Sequence, residues 1–266
     1  MGDDAKNRSG APIRVVDDAV TPPRLPGEVV VRDDIEDLGT ALGAEMLVHA
    51  NNCVRTFGDF HMALSGGSTP MPFYRRLMMD PLFRSFPWGR THLWMVDERR
   101  VPFEDERSNF GHISELLVEH SDIPKGNVHP MRAMDADGDA AYERELREAL
   151  AWREKGQDRL DFVLLGLGSD GHTASLFPRS GAVRERARLV VRNAGPTVVP
   201  PERVTLTYPL INASRYIAFL VTGEGKREMV GRIARGADAV EDVPALGVQP
   251  LAGVLKWFLD KDACPR

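Results

Sequence analysis

The sequence predicts an α/β fold in which a mostly parallel β-sheet is covered by helices on both faces. Three observations predict this fold class. Short apolar segments alternate with longer helical segments along the chain, as strands and crossover helices do in parallel sheets. Several apolar segments end in glycine-containing turns with polar side chains, as at the carboxyl edge of such a sheet. The chain has 266 residues, of which 42% are apolar, so it can bury a sizeable core.

The first half of the globular part begins near Glu28 and alternates strand with helix. The apolar runs Val-Val-Val, His-Met-Ala-Leu and His-Leu-Trp-Met-Val predict strands at 29–32, 61–64 and 92–96. The longer segments between and after these runs predict helices at 34–54, 71–79 and 109–119.

The second half continues the same alternation. A charged segment predicts a helix at about 139–155, and a further helix begins at Lys226. Strands are predicted at 162–167, 203–207, 216–221 and 254–259. No internal repeat and no strong linker interrupts the pattern, so residues 27–266 are predicted to form one domain.

The first 26 residues are polar and then Pro-rich, which predicts a loosely ordered lead-in around one short strand at 13–16. No apolar segment follows the charged start, so the pattern is not that of a secretory signal. No apolar run approaches the ~18 to 20 residues that a membrane helix needs. We therefore expect a soluble, cytoplasmic protein without a membrane partner.

Charge and cysteine content exclude several functions. The formal net charge is −5 and the basic residues are scattered, so we expect no nucleic-acid partner. The two cysteines, Cys53 and Cys264, form no zinc-ligand spacing, which favours a reducing compartment. We expect neither a metal nor a cofactor.

The segment 166–178, Gly-Leu-Gly-Ser-Asp-Gly-His-Thr-Ala-Ser-Leu-Phe-Pro, is the most informative in the chain. It leads from an apolar strand into a glycine-rich turn that displays Asp170 and His172. Ligands of open parallel sheets bind beyond the carboxyl ends of the strands, so Asp170 and His172 are predicted to be catalytic. The simpler alternative is a connecting loop whose histidine caps a helix.

The segment 64–70, Leu-Ser-Gly-Gly-Ser-Thr-Pro, follows a strand and precedes a helix. Glycines allow the backbone to approach a ligand closely, and hydroxyl groups and helix N–H groups favour an anion such as phosphate. The predicted substrate contacts are Ser65, Gly66, Gly67, Ser68 and Thr69. The segment is neither a Walker A loop nor a dinucleotide fingerprint, and an ordinary strand-to-helix turn is the alternative.

Charged residues also lie at the ends of three other predicted strands. Residues 97–99 follow one strand, Arg203 begins another, and Lys226 follows the glycine turn after a third. Asp97, Glu98 and Arg99 end a strand, and charges at such a position either form ion pairs at the rim or face a polar ligand. Arginine can bind phosphate with two hydrogen bonds, and a lysine after a glycine turn can meet the same anion. The recurrence favours one phosphorylated substrate over scattered surface charges, with predicted contacts from Asp97, Glu98, Arg99, Asn109, Arg203 and Lys226.

In their order along the chain, these motifs resemble those of the 6-phosphogluconolactonases. The resemblance spans nearly everything after Glu28 and includes Asp-Glu-Arg at 97–99, Arg-Val-Thr-Leu-Thr at 203–207 and Gly-Glu-Gly-Lys at 223–226. It implies a single Rossmann-like, three-layer domain of the NagB/RpiA-like fold. It also implies that the partner is a small sugar-phosphate lactone, 6-phospho-D-glucono-1,5-lactone, which is hydrolysed to 6-phospho-D-gluconate in the oxidative pentose phosphate pathway. We expect a monomer or a weak homodimer.

For this reaction the sequence suggests a mechanism without a covalent intermediate. Neutral His172 accepts a proton from the water that attacks C1 and returns it to the ring oxygen, a role that suits an imidazole pKa of ~6.5. Asp170 orients the imidazole or the neighbouring loop. The loop at 65–69, with Arg99, Arg203 and Lys226, holds the phosphate and the sugar hydroxyls.

Several alternatives remain open. The related glucosamine-6-phosphate deaminases carry a glutamate where this chain has Phe177, and Asp-Glu-Tyr where it has Asp-Glu-Arg. Relatives also often have lysine in place of Val199. A serine hydrolase using Ser175 or Ser65 lacks the Gly-x-Ser-x-Gly elbow. A metal site formed by Asp97, Asp170 and His172 lacks ligand spacing, and a non-catalytic sugar-phosphate sensor has no need of the histidine.

Overall fold

The computed structural model describes residues 21–151, 153–154 and 158–265. The predicted strand at 13–16 and most of the predicted lead-in lie outside the described residues. None of the helices in the described ranges combines the length and apolar character that crossing a lipid bilayer requires.

Among the described residues the main sheet has seven strands, and every neighbouring pair of them is parallel. The strands are β1 (Glu28–Arg32), β2 (Phe60–Leu64), β3 (Thr91–Met95), β5 (Val128–His129), β6 (Phe162–Leu165), β9 (Tyr216–Val221) and β10 (Val254–Asp260). Their spatial order is β1-β10-β9-β6-β2-β3-β5. The predicted parallel α/β fold is confirmed.

The central strands β2, β6 and β9 are buried along their whole length. Strands of a parallel sheet covered on both faces read as continuous apolar runs, which is why these segments stand out in the sequence. The helices between the strands are α1 (Ile35–Phe57), α2 (Met71–Met79), α3 (Asn109–Leu116), α4 (Gly138–Leu150), α5 (Tyr208–Ile211) and α6 (Arg227–Arg235).

Helix α1 illustrates how local chemistry sets the element boundaries. The side chain of Asp34 accepts hydrogen bonds from the N–H groups of Glu36 and Asp37, which satisfies two of the free donors at the helix start. Gly58 ends the helix with φ of 91°, a left-handed conformation that glycine adopts without strain.

The described part of the chain also forms a second sheet, of three antiparallel strands, which was not predicted. It consists of β4 (Asp97–Arg99), β8 (Glu202–Leu206) and β7 (Val190–Ala194), in that order. The strand predicted at 203–207 therefore belongs to this sheet and not to the parallel one. Apolar periodicity missed β4 because all three of its residues are charged, and it missed β7 because only Val190 is fully buried there.

Several predicted boundaries also differ, and the largest differences are at the ends of α1, α3, α4 and β6. Helix α1 was predicted to end at 54 and ends at Phe57. Helix α3 ends at Leu116, where the chain tightens into a 3-10 turn at Val118–His120. Helix α4 ends at Leu150, and β6 ends at Leu165 where the glycine-rich segment begins.

The order of the strands places a crevice between β2 and β6. Strands β2 and β6 are neighbours in the sheet. From β2 the chain continues to β3 on one side of this pair, and from β6 it continues to β9 on the other side. Such a topological switch point opens a crevice beyond the carboxyl ends of the two strands. The segments 64–70 and 166–178 leave the sheet at these two ends.

Candidate active site

The two glycine-rich segments meet at one cavity of about 470 Å³. The three-stranded sheet and the start of α6 complete its wall. All but two of the predicted site residues line it, namely Ser65, Gly66, Gly67, Ser68, Thr69, Asp97, Arg99, Asn109, His172, Arg203 and Lys226. The two exceptions are Asp170, which contacts His172, and Glu98.

His172 and Asp170 form a hydrogen-bonded pair at the cavity. The Nδ1 atom of His172 lies 2.5 Å from Oδ1 of Asp170, and the His172 N–H donates to the same oxygen at 3.1 Å. An ionised carboxylate can only accept hydrogen bonds, so Nδ1 carries the proton and Nε2 carries the lone pair. Nε2 has no hydrogen-bond partner among the described residues, which leaves it available to a ligand.

The charge state of Asp170 follows from the same contact. Burial opposes ionisation of the carboxyl, but the hydrogen bonds and charge of His172 outweigh burial and lower the pKa of Asp170. Asp170 therefore stays an acceptor at neutral pH and holds the imidazole in one tautomer.

Glycines let the segment 166–178 fold tightly around this pair. A Cβ atom at Gly168 would lie 2.2 Å from Nδ1 of His172 and 2.6 Å from Oδ1 of Asp170. The Gly168 N–H donates to the carbonyl of His172 at 2.7 Å, which closes the turn. Gly171 has φ of 86°, in the left-handed region that favours glycine.

The segment 64–70 presents unpaired donors to the cavity. The N–H groups of residues 66–69 have no acceptor among the described residues, and Gly67 has φ of 88°. The buried hydroxyl of Ser65 also lacks a partner there. The hydroxyl of Tyr74 in α2 donates to the Ser65 carbonyl at 2.6 Å and holds the loop against the helix. Unpaired backbone donors of this kind suit an anion.

Three cationic side chains of the described residues line the cavity, those of Arg99, Arg203 and Lys226. Arg203 is only 6% exposed and its Nη1 atom has no acceptor among the described residues. Burial lowers the pKa values of Arg203 and Lys226, although the charges of Asp97 and Asp170 respectively oppose it. Arg99 donates from Nη1 to the Arg107 carbonyl at 2.5 Å. A buried guanidinium donor without an acceptor is costly, so a bound anion or hydroxyl would stabilise this arrangement.

Strand β4 separates Asp97 and Arg99 from Glu98, because successive side chains of a strand point to opposite faces. The Glu98 side chain is fully buried away from the cavity wall. Its carboxylate accepts hydrogen bonds from four groups at 2.7 to 3.1 Å, the N–H groups of Arg99, Asn109 and Phe110 and the hydroxyl of Ser108. Burial raises the pKa of Glu98 even though the N–H donors oppose this. All these partners belong to β4 and the start of α3, so Glu98 lies behind the cavity wall, and its predicted contact with substrate stays a prediction.

Asn109 lies between the two sheets at the first turn of α3. Its Nδ2 donates to the Asp97 carbonyl at 2.9 Å, which fixes the orientation of the amide. The amide oxygen is buried without a donor among the described residues. It packs so closely on Gly66 that a Cβ atom there would lie 2.0 Å away.

The alternatives that use other side chains lack the geometry that they need. The hydroxyl of Ser175 donates to Asp97 at 2.6 Å, and neither it nor Ser65 has a hydrogen bond to His172. Asp97, Asp170 and His172 do not bring their ligand atoms together. In the described part of the chain, the one group of potential metal ligands that converges is Asp59, His61 and His92, at the opposite edge of the sheet.

An apolar wall lies beside the histidine. The ring of Phe177 is 2% exposed and its centroid lies 5.0 Å from that of His172. Val199 is 82% exposed at the lip of the cavity. In the sequence these two positions stand out only because relatives often carry a different residue there. Nothing in the local pattern around them indicates a site.

Comparisons with known proteins show which family the chain resembles. Residues 33–257 match the family model described as glucosamine-6-phosphate isomerases/6-phosphogluconolactonase. Over 236 residues the chain is 40% identical to the human GDH/6PGL endoplasmic bifunctional protein, an alignment that covers 86% of this chain and 29% of that protein. The chain thus spans less than a third of the length of this relative.

Relatives of similar length are also found. A 6-phosphogluconolactonase of Mycobacterium tuberculosis is 35% identical over 249 residues, which cover 91% of this chain and 99% of the relative. The crystal structure of a 6-phosphogluconolactonase from Thermotoga maritima has a TM-score of 0.75 at 30% identity, covering 88% of this chain and 99% of that one.

Proposed function

The chain belongs to the glucosamine-6-phosphate isomerase/6-phosphogluconolactonase family, and from this premise we propose that it hydrolyses 6-phospho-D-glucono-1,5-lactone to 6-phospho-D-gluconate. This is a hydrolytic step of the oxidative pentose phosphate pathway. The observation that carries the proposal is the Asp170–His172 pair, whose available Nε2 faces a loop with unpaired anion-binding donors.

The reaction needs one base and one acid, and His172 supplies both. A lactone is an activated cyclic ester, so water attacks C1 directly while Nε2 of His172 takes its proton. The bond between C1 and the ring oxygen then breaks, and the imidazolium returns the proton to that oxygen. General base catalysis of this kind supplies ~100- to 10,000-fold. Asp170 stabilises the imidazolium without becoming protonated.

The remaining cavity residues hold the substrate. The N–H groups of residues 66–69, with Arg99 and Lys226, bind the phosphate. Asp97 and Asn109 contact the sugar, where Asp97 accepts a hydrogen bond from a hydroxyl, and Arg203 donates to the same part of the substrate. Holding both ends of the substrate places C1 next to His172.

The deaminase alternative is disfavoured by Phe177, whose ring packs against that of His172. Ring opening of an amino sugar needs an additional proton-transfer group, and the position that carries it in the deaminases is occupied by the buried ring of Phe177. Described residues of a single chain line the cavity, so we propose that the monomer is active, alone or in a weak homodimer.

The first experiment measures hydrolysis of freshly generated lactone, corrected for spontaneous opening. We expect His172→Ala to lower kcat by ~100- to 10,000-fold, because it removes the base. The exposed His120 provides the control, and His120→Ala should keep the wild-type rate. A fall of less than about threefold in His172→Ala would exclude His172 as the base.

Glucosamine 6-phosphate is tested in parallel. A folded wild-type protein that leaves the lactone unchanged would exclude lactonase activity. Release of ammonia would then support the deaminase alternative, and ligand-dependent thermal stabilisation without turnover would support the sensor.

A further inference from the structure

Ser175 joins the segment that carries His172 to all three strands of the second sheet. It is 1% exposed and lies three residues after the histidine. Its hydroxyl donates to Oδ2 of Asp97 in β4 at 2.6 Å, and its N–H donates to Oγ1 of Thr205 in β8 at 3.1 Å. Its carbonyl accepts from Nδ2 of Asn193 in β7 at 2.8 Å.

We propose that Ser175 is a positioning residue for the hydrolysis, which sets the distance between His172 and the substrate-holding groups of the three-stranded sheet. This inference rests on the proposed function, since it concerns the rate of the same reaction.

The segment 166–178 needs such an attachment because it has little regular structure of its own. It contains no helix and no strand, only one isolated bridge between Thr173 and Leu176. Its internal bonds, such as that from the Gly168 N–H to the His172 carbonyl, hold the histidine within the segment. The bonds of Ser175 hold the segment against β4 and β8, and thus against the groups that bind substrate.

The hydroxyl of Ser175 also orients the Asp97 carboxylate. Its bond occupies Oδ2, whereas Oδ1 has no donor among the described residues. Asp97 is 8% exposed and lines the cavity, so the unoccupied oxygen is the one that can accept a substrate hydroxyl. The 2.6 Å length is that of a charge-assisted hydrogen bond, which keeps the carboxylate in one rotamer.

The test compares Ser175→Ala with Ser214→Ala. Ser214 is a matched control, since it is equally buried and its hydroxyl donates to the Leu210 carbonyl, outside the cavity. We expect Ser175→Ala to lower kcat about 10- to 100-fold, because a small misplacement of reacting groups has effects of this size. The Kd for 6-phosphogluconate should change less than about fivefold, since the phosphate-binding groups remain. Ser214→Ala should leave both values unchanged.

Two further variants separate positioning from general loss of structure. In an Asp97→Ala background, Ser175→Ala should lower kcat by less than about threefold, since the carboxylate that its hydroxyl orients is already gone. Thr205→Val removes the acceptor of the Ser175 N–H without altering Ser175, and we expect a similar selective loss of kcat. If Ser175→Ala does not fold, Thr205→Val still tests the attachment of the segment 166–178 to the second sheet.

Different outcomes would overturn this inference alone or the proposed function together with it. An active wild type with an equally active Ser175→Ala overturns this inference alone, whereas a wild type without lactone turnover overturns the proposed function and this inference with it. Ser175 would instead be a nucleophile if Ser175→Ala lowered kcat more than about 10,000-fold and an acyl-enzyme on Ser175 were detected in the wild type.

Discussion

The Asp170–His172 pair, which we propose to be catalytic, is packed so closely against Gly168 that one additional carbon atom would not fit. Gly168 faces both members of the pair, at distances that no side chain could occupy without moving them. The imidazole is thus held by the hydrogen bond that its Nδ1–H donates to Asp170 on one side and by the backbone of Gly168 on the other. If His172 is the base, holding it so closely keeps its lone pair directed at the cavity without reorganisation during the proposed reaction.

Gly168→Ala should therefore impair catalysis more than folding. The new methyl group displaces the Asp170–His172 pair, and we expect kcat to fall about 100-fold. Steady-state hydrolysis of the lactone measures this effect, and the melting temperature reports on folding. Gly181→Ala is the control, because a Cβ atom at Gly181 meets nothing within 4 Å. Equal kcat values for the two variants would show that the close packing at Gly168 has no catalytic role.

Among the elements, the short strand β4 has a larger influence than its three residues suggest. One of its faces provides Asp97 and Arg99 to the cavity, and the other provides Glu98 to the start of α3. The buried carboxylate satisfies N–H groups that the first turn of a helix leaves unpaired. The position of Asn109 at the cavity therefore depends on Glu98, although Glu98 itself lies outside the cavity.

We expect Glu98→Gln to destabilise the protein and to raise KM. The amide has one acceptor oxygen in place of two, so two buried donors lose their partner at a cost of ~1 to 3 kcal/mol each. Urea unfolding at pH 7 measures the free energy of unfolding. The exposed Glu115 on the same helix is the control, and Glu115→Gln should change the stability by less than ~0.5 kcal/mol. Unchanged unfolding of Glu98→Gln would contradict the anchoring role.

At the scale of the whole molecule, the two edges of the parallel sheet have different chemistry. The carboxyl ends of the strands hold the candidate active site. Near the amino ends the rings of His61 and His92 are stacked, and the ring of His129 stacks in turn on that of His92. Trp94 donates to Nδ1 of His61 at 3.1 Å, so the proton of that ring lies on Nε2 and is directed to Asp59 at 3.2 Å. This leaves His61 without a lone pair for a metal, although the spacing of the cluster resembles a ligand set.

Because of these histidines, we expect the free energy of unfolding to fall in acid. Burial first, and then the neighbouring His61 and His129, lower the pKa of His92 to about 4. The unfolded chain takes up protons near pH 6.5, so between pH 6.5 and about 4 it binds more protons than the native state, and stability falls as the pH falls. Water still reaches part of the His92 ring and screens it, which limits its share to ~1 to 2 kcal/mol.

His92→Gln should reduce this dependence on pH. We expect the free energy of unfolding to decline less between pH 7 and pH 4.5 in this variant than in the wild type, as measured by urea titration at several pH values. The exposed His120 again provides the control, and His120→Gln should follow the wild type. Parallel curves for His92→Gln and the wild type would exclude His92 as a source of the acid sensitivity.

The sequence by itself determined the parallel sheet, most of its strands and the two glycine-rich segments at their ends. Burial on both faces makes strands such as β6 and β9 continuous apolar runs, and turns need glycine at particular positions, so both signals are local. The catalytic assignment of His172 remains a prediction that rests on this local pattern and on the resemblance.

Only the tertiary structure decided which partners these side chains have. The Asp170–His172 contact depends on the exact path of a turn, and the bond between Ser175 and Asp97 joins residues 78 positions apart. The second sheet arises from pairing between β4 and β8, which no local periodicity encodes, and it directs Glu98 away from the cavity. Long-range pairing sets the face on which a side chain lies, because a strand alternates its side chains and one residue of register exchanges them.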